Sequence, residues 1–237
     1  MAANQVFLLV LLGLWCVDGQ YQFFQMVQQW GPAKCSSGRV KCHVTPKPMF
    51  TIHGLWPSNF TDLMLHYCSL QSFDASQIKT LQSELSKYWP DVVKGKDVDF
   101  WKHEWEKHGT CSNPPFNIFQ YFELALNIRK YKKYDLMAIL NNAGLHPSTS
   151  KLHQYDDIAD LIQAAVEAKP LLKCNDKNGQ GQNNQLWEVI LCFDHGGVNP
   201  IDCPAQPVPH KMCVGDFKWQ SLANFVEGEE SLGIHVI

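Results

Sequence analysis

The sequence predicts an α+β fold in a single domain, built on a central antiparallel sheet that several helices flank. Strand-like segments lie near both ends of the chain, whereas segments with apolar residues every three or four positions lie in the middle. That order is typical of one α+β domain. Nine cysteines are present, and the eight beyond residue 20 form an even set that indicates four disulfides in a secreted chain.

Four segments are predicted to be strands. Tyr21–Trp30 alternates loosely between polar and apolar residues before a Gly-Pro pair stops it. Met49–Leu55 is the second strand, and the Trp56-Pro57 pair is expected to end it. Leu171–Cys174 and Leu186–Phe193 are expected to form a hairpin around a polar loop.

The helices are predicted from apolar residues that recur at helical spacing. The first begins at Asp74, which resembles an N-cap, and stops before Pro90. The others are predicted around Phe100–Cys111, Ile118–Ile128, Asp135–Ala143 and Ile158–Val166.

The segment Phe100–Cys111 concentrates two histidines, two glutamates and two lysines. Residues four apart share a helix face, so His103 lies beside Lys107 and Glu104 beside His108. Tryptophans in the same segment supply an apolar face, and the glycine after the last histidine is expected to end the helix in the left-handed conformation. The helix therefore predicts a rigid group of ionisable side chains.

The second informative segment contains His53. If Phe50–Leu55 is a regular strand, Ile52 and Gly54 share one face while His53 and Leu55 share the other. Gly54 leaves room for the close approach of a ligand or of backbone. A single strand histidine is more often structural than catalytic, so the functional interpretation depends on its occurrence together with the histidine-rich helix.

Together these side chains suit acid–base chemistry on a phosphodiester. Two histidines can act as base and acid across one bond, and a lysine and a carboxylate can stabilise a pentacovalent phosphorane. This is the equipment for metal-free cleavage of RNA, in which the 2′-hydroxyl is the nucleophile. Zinc is disfavoured because His103 and His108 are five residues apart, about 140° around a helix. No GxSxG segment supports a serine hydrolase. We expect no metal and no cofactor.

The net charge of −3 is not the footprint of a nucleic-acid-binding protein, so a polyanion must be held locally. The apolar run Val6–Val17 is too short to span a membrane comfortably, and small residues follow it. Residues 1–20 are predicted to be a secretory signal peptide and residues 21–237 one domain, although the leader has no Lys or Arg and a buried terminal element is the alternative. Asn59 begins the one glycosylation sequon.

At Phe50–Pro57 and Phe100–Cys111 the chain resembles the secreted ribonuclease T2 family, most closely the plant pistil S-RNases and their S-like relatives. Both motifs match in residue types and spacing, and the likeness extends from Tyr21 to about Cys213. The resemblance implies an endoribonuclease that cleaves single-stranded RNA to a 2′,3′-cyclic phosphate and then to a 3′-phosphate.

The resemblance also implies a role for each motif residue. His108 would be the general base, His53 the general acid, Glu104 and Lys107 the groups that stabilise the transition state, and His103 the residue that holds the phosphate. A bell-shaped pH profile on the acidic side of neutral follows from one charged and one neutral histidine.

By the same resemblance, a nucleobase pocket would be formed by Gln29, Asp91, Val93 and Phe100, with Phe100 stacking on the base. Some relatives carry Asn at the position of Asp91, so base preference does not transfer. The family's disulfides would be Cys35–Cys42, Cys68–Cys111, Cys174–Cys213 and Cys192–Cys203.

Two biological roles compete. A pistil S-RNase of self-incompatibility would meet F-box proteins, whereas an S-like enzyme would scavenge phosphate or act in defence. The Phe-Thr-Ile-His form of the first motif and the sequon favour the S-RNase lineage, and an isoelectric point of about 6.3 favours the other. A catalytically idle storage or recognition relative is a further alternative. We expect a monomer that is extracellular or vacuolar and has no membrane partner.

Overall fold

A computed structural model of the protein describes residues 21–38, 40–176, 183–205 and 212–222. The predicted signal peptide lies outside these residues. The model is a mixed α+β structure with a seven-stranded sheet and six helices among the described residues, and this confirms the predicted fold class. None of the helices in those ranges is long and apolar enough to cross a membrane.

The strands and helices follow one another along the chain with short 3-10 turns between some of them. The strands are β1 (Phe23–Trp30), β2 (Phe50–Ser58), β3 (Leu152–His153), β4 (Leu171–Asp176), β5 (Asn183–Asp194), β6 (Pro200–Ile201) and β7 (Phe217–Lys218). The helices are α1 (Gly31–Cys35), α2 (Gln82–Tyr88), α3 (Asp97–Lys107), α4 (Ile118–Lys130), α5 (Leu136–Asn142) and α6 (Tyr155–Val166).

The sheet is antiparallel except for one pair between β5 and β7. Its central part has the order β2–β1–β5–β4, so the N-terminal strands lie beside the C-terminal hairpin. Because successive side chains of a strand point to opposite faces, Phe24 and Met26 of β1 join the main core with the helices, whereas Phe23 and Val27 join a smaller core on the other face.

Three of the predicted boundaries are wrong. Strand β2 continues through Trp56 and Pro57, because β2 is an edge strand and a proline there removes no essential ladder bond. The helix predicted from Asp74 is divided into a 3-10 turn at Ala75–Ile78 and α2. Helix α3 ends at Lys107, and the following glycine begins a 3-10 turn without a positive φ.

The four disulfides have the pairing that the family resemblance implies: Cys35–Cys42, Cys68–Cys111, Cys174–Cys213 and Cys192–Cys203. Two of them lie in the sheet region, and Cys68–Cys111 joins the turn after α3 to the segment that follows β2. This bridge therefore connects the two sequence segments that carry the motif histidines.

Candidate active site

Helix α3 and strand β2 meet at a cleft of about 710 Å³, a volume ordinary for a small-ligand site. The cleft is lined by six of the residues that the sequence singled out: His53, Phe100, His103, Glu104, Lys107 and His108. The motif side chains of two distant segments therefore face one space.

Two tryptophans orient helix α3. Trp101 and Trp105 are buried in the main core, and the Trp101 indole N–H donates a 2.8 Å hydrogen bond to the carbonyl of Trp89. Because these rings occupy the core side of the helix, the side chains of His103 and Lys107 are left on the cleft side.

A β-bulge aims His53 at the cleft. Val27 of β1 pairs with Gly54 and the next residue, Gln28, pairs with Ile52, so His53 has no residue opposite it on β1. Such a bulge turns a side chain and shifts the alternation of the strand. Ile52 and Leu55 consequently share the main core, and the predicted regular alternation over this segment is wrong.

Gly54 makes room for a hydrogen bond beneath the cleft. The Trp56 indole N–H donates to Glu104 Oε2 at 3.0 Å. A Cβ at residue 54 would lie 2.1 Å from the Trp56 nitrogen and 2.4 Å from that Glu104 oxygen. Space is thus needed at Gly54, but the groups that approach it are the side chains of Trp56 and Glu104 rather than the predicted ligand or backbone.

The Trp56 ring also contacts both motif imidazoles. Its centroid is 5.3 Å from that of His53, in an edge-on arrangement, and 5.1 Å from that of His108, in a stacked one. With only 8% of its surface exposed, Trp56 is chiefly a packing residue that separates and positions the two rings.

The His53 ring is held from the sheet. Its Nδ1 lies 2.5 Å from Oε1 of Glu188, a buried carboxylate at the centre of β5. Glu188 pairs across the sheet with Gln29 on β1 and with Lys173 on β4. A hydrogen bond at Nδ1 leaves Nε2 as the ring nitrogen available to a substrate.

The His108 ring is held from the segment after β2. Its Nδ1 lies 3.2 Å from the carbonyl oxygen of Leu65. Two residues later, the Tyr67 N–H donates a 2.7 Å hydrogen bond to the carbonyl of Lys107, and the disulfide of Cys68 follows. We call Leu65–Cys68 the strap, because it fixes the end of α3 through these contacts.

The surroundings separate the charge states of the ionisable groups. Burial and, to a smaller extent, the Lys107 ammonium together lower the pKa of His108 to about 3. Burial raises the pKa of Glu104 in spite of nearby His53 and the Trp56 hydrogen bond. Burial alone would also raise the pKa of Glu188, but the charge and hydrogen bond of His53 outweigh it and the net shift is downward.

His103 occupies the outer part of the cleft. Its partial burial lowers its pKa, and the charges of Lys107 and His53 act in the same direction. The residue nevertheless has a solvent-exposed surface, in contrast to the buried His108. An exposed imidazole beside an ammonium suits contact with an entering anion rather than proton transfer in the interior.

Three of the predicted base-binding residues do not line this cleft. Gln29 is buried, and its amide donates a 3.4 Å hydrogen bond to the carbonyl of Ile52. The carboxylate of Asp91 accepts hydrogen bonds from the backbone N–H groups of Val93, Lys94 and Lys96. Of the four residues, the cleft brings only Phe100 beside His53, with ring centroids 6.1 Å apart.

The sequence analysis did not single out Glu188, Lys173 or Trp187, although all three line the cleft. Glu188 gave a detectable signal, because it is the one charged residue in the apolar run Leu186–Phe193. A carboxylate in a buried strand requires a charged or hydrogen-bonding partner, and a histidine of this chain could have been predicted as that partner.

Asn59 lies next to the cleft wall, since the following Phe60 and Thr61 line the cleft. Its backbone N–H donates a 2.9 Å hydrogen bond to the carbonyl of Asp62. In the described part of the chain, no group of three or more His, Cys, Asp or Glu side chains is arranged to hold a metal ion.

The family model for the ribonuclease T2 family matches residues 21–203, which include every motif residue described above. The chain belongs to this family and is a ribonuclease.

Among individual proteins, the chain is 35% identical to Ribonuclease 1 of Arabidopsis thaliana, over 85% of this chain and 87% of the relative. It is also 35% identical to Ribonuclease S-5 of Pyrus pyrifolia, over 91% of this chain and 96% of the relative. Its structure resembles ribonuclease MC1 from the seeds of bitter gourd with a TM-score of 0.74 and 34% identity, over 84% of this chain and all of the other. Mutant RNase MC1 has been solved with 5′-GMP.

Proposed function

We propose that the protein is a metal-independent endoribonuclease that cleaves single-stranded RNA by acid–base transphosphorylation. The observation that carries this proposal is the common cleft, which is lined by His53 from β2 and by His103, Glu104, Lys107 and His108 from α3 and its end. The unequal surroundings of His53 and His108 support different roles for the two rings.

His108 suits the general base. Burial and the neighbouring Lys107 ammonium depress its pKa to about 3, which favours the neutral ring in mildly acidic and neutral solution. Its Nδ1–H donates to Leu65, which leaves the Nε2 lone pair to remove the proton of the 2′-hydroxyl. The 2′-oxygen then attacks phosphorus, and a P–O2′ bond forms.

His53 suits the general acid. As the P–O5′ bond breaks, His53 gives its Nε2 proton to the leaving 5′-oxygen, and the product is a 2′,3′-cyclic phosphate. In the second step His53, now neutral, removes a proton from water and the water oxygen attacks phosphorus. His108 returns its proton to O2′ as the P–O2′ bond breaks, which gives the 3′-phosphate.

The negative charge that develops on the phosphorane must also be stabilised. Lys107 can donate to a non-bridging oxygen. Burial raises the pKa of Glu104 beside it, which favours the protonated carboxyl that could donate to a second oxygen. His103 at the outer part of the cleft would hold the phosphate. Phe100 would stack on a nucleobase beside His53. Contacts from Gln29, Asp91 and Val93 to a base stay a prediction.

The test is RNA cleavage by the wild-type protein and by His53→Ala and His108→Ala. Each substitution removes a proton-transfer group, so we expect a loss of roughly 10²- to 10⁴-fold. A 2′,3′-cyclic phosphate should accumulate before the 3′-phosphate, and chelators should not inhibit. An inactive wild-type protein in an RNA zymogram would support the idle storage or recognition alternative, and full activity in either variant would exclude the assigned roles.

Export to the extracellular space or vacuole is part of the proposal. Four disulfides support an oxidising compartment, in agreement with the predicted signal peptide. Glycosylation at Asn59 is proposed from the sequon and from its place beside the cleft wall. Mass spectrometry of protein purified from the native tissue tests both, through the mature N-terminus and the mass of the Asn59 peptide.

We propose the S-RNase lineage for the chain, on the Phe-Thr-Ile-His motif and the sequon, and we do not assign it the self-incompatibility role on these features alone. The S-like role in phosphate supply or defence is favoured by the isoelectric point of about 6.3. Transcript levels in style, leaf and root separate the two. Binding to F-box proteins is expected only if style expression dominates, and a monomer is the expected state in solution.

A further inference from the structure

We propose that Glu188 is a positioning residue whose ionised carboxylate makes His53, rather than His108, the general acid. The inference rests on the proposed function and adds a residue to it. Glu188 has no place in either motif segment, and it reaches the site from the C-terminal hairpin.

The contact between Glu188 and His53 is more specific than packing alone requires. Its Oε1 lies 2.5 Å from His53 Nδ1, and the carboxylate is 2% exposed. A buried carboxylate that accepts from Nδ1–H fixes the tautomer of the ring and the direction of Nε2, and it stabilises the imidazolium form. His108 has a neutral carbonyl, that of Leu65, in the same place. Only His53 therefore has an anionic partner at Nδ1.

Other charged groups line the same cleft or act on its carboxylates. Helix α3 and its end contribute Glu104, Lys107, His103 and His108, β4 contributes Lys173, and the segment after β2 contributes Asp62. The ammonium groups of Lys173 and of Lys34 on α1 act on the carboxylate of Glu188 and help keep it ionised. Among the carboxylates that line the cleft, Glu188 is the one that lies within hydrogen-bond distance of the His53 ring.

The first test compares two classes of substrate. RNA dinucleotides need a proton on the leaving 5′-oxygen, whereas nucleoside 3′-(4-nitrophenyl phosphates) release a stable phenolate that needs none. We expect Glu188→Gln to lower kcat/KM on dinucleotides by on the order of 10- to 100-fold. On the nitrophenyl esters of the same nucleosides, the loss should be less than about threefold. His53→Ala should show the same pattern, and His108→Ala should lose activity on both substrates.

The second test is the pH profile of kcat/KM on dinucleotides. Glutamine can still accept from Nδ1–H but carries no charge, so Glu188→Gln should move the alkaline limb to lower pH and leave the acidic limb in place. Glu188→Ala should move the same limb and lower the maximum more than Glu188→Gln does, because the ring orientation is lost as well. A role in packing alone would lower activity equally at all pH values.

The matched control is Glu84→Gln, which removes a carboxylate that pairs with Lys130 on the surface outside the cleft. It should match the wild type on both substrates and in pH profile. Circular dichroism of each variant verifies the fold. The proposal is overturned if folded Glu188→Gln loses equal activity on both substrate classes, or if its alkaline limb coincides with that of the wild type. A wild-type protein without RNA cleavage would overturn the proposed function itself, which is a different result.

Discussion

The two imidazoles proposed to be catalytic differ in what holds them. His53 lies on a bulged strand in the sheet and has a buried carboxylate at Nδ1, whereas His108 lies at the end of α3 and has a backbone carbonyl there. A carboxylate at Nδ1 stabilises an imidazolium more than a neutral carbonyl does. The opposite roles proposed for the two histidines rest on these partners, which the motif letters alone do not contain.

The supports differ in construction as well. The His53 support consists of neighbouring strands of one sheet, β1, β2, β4 and β5. The His108 support is the strap Leu65–Cys68, a segment without regular structure that one disulfide joins to the turn after α3. Changes to the strap should therefore affect His108, the proposed base, more than His53, the proposed acid.

The largest effect is expected from removal of the Cys68–Cys111 disulfide with alanine at both positions. The bridge closes a segment of 43 residues, which corresponds to about 4 kcal/mol of unfolding free energy in the chain-entropy model. The shorter Cys35–Cys42 bridge should be worth about 2.5 kcal/mol by the same relation. Urea unfolding measures both.

If the strap supports the base, loss of Cys68–Cys111 should also reduce activity on the nitrophenyl esters, which depend on His108. Removal of Cys35–Cys42 should not. Equal losses of activity in the two disulfide variants would remove the distinction between the supports.

The next effect is expected from Gly54→Ala, which acts on both imidazoles through Trp56. The new Cβ would displace the Trp56–Glu104 hydrogen bond, and a displacement of about 1 Å at a catalytic site can cost on the order of 100-fold in rate. Gly196→Ala is the matched control, because its Cβ would have only ordinary contacts at 3.7 Å and beyond. Steady-state rates on RNA compare the two, and wild-type activity in Gly54→Ala would contradict the role given to this hydrogen bond.

A smaller effect concerns the pH dependence of stability. The pKa of His108 falls from its ordinary value near 6.5 to about 3 on folding, so between these pH values the unfolded state binds a proton that the native state does not. Stability should therefore fall as pH is lowered from about 6.5, with a contribution of up to about 1.4 kcal/mol per pH unit from this residue. Above pH 6.5 the contribution is fully present.

The check is urea unfolding of wild type and His108→Gln at pH 7 and pH 5. The variant should be less sensitive to acid than the wild type, and the difference isolates His108 from the other ionisable groups. Parallel behaviour of the two proteins would mean that the ring is protonated in the native state.

The smallest effect is expected at Tyr67, which has a φ of 53° in the strap. A left-handed residue other than glycine costs roughly 1–2 kcal/mol, and glycine adds chain entropy of about 0.5–1 kcal/mol to the unfolded state. Tyr67→Gly should thus change stability by no more than about 1 kcal/mol, whereas Tyr67→Val should destabilise. Glu167 also has a positive φ, 66°, and does not line the cleft. Glu167→Gly therefore tests the effect of relieving a left-handed backbone conformation at a position outside the strap. Thermal unfolding compares the three variants.

Much of this site could be predicted from sequence because it depends on local spacing. The convergence of His53 with the histidines of α3 follows from two short motifs, and the disulfide pairing follows from the family resemblance. The bulge at His53 could not be predicted, because it depends on the register between β1 and β2. Glu188 was missed because its partner lies 135 residues away. The strap was missed because the hydrogen bonds to His108 and Lys107 come from backbone groups, which carry no side-chain signature.

If His108 is the base, the strap links catalytic competence to oxidation of the chain. A newly made molecule whose Cys68 and Cys111 are still thiols lacks the covalent connection that holds the strap against His108. We expect the base of such a molecule to be poorly placed and its nuclease activity to be weak. Under the proposed export, full activity would arise only in an oxidising compartment, away from the producer's own transcripts.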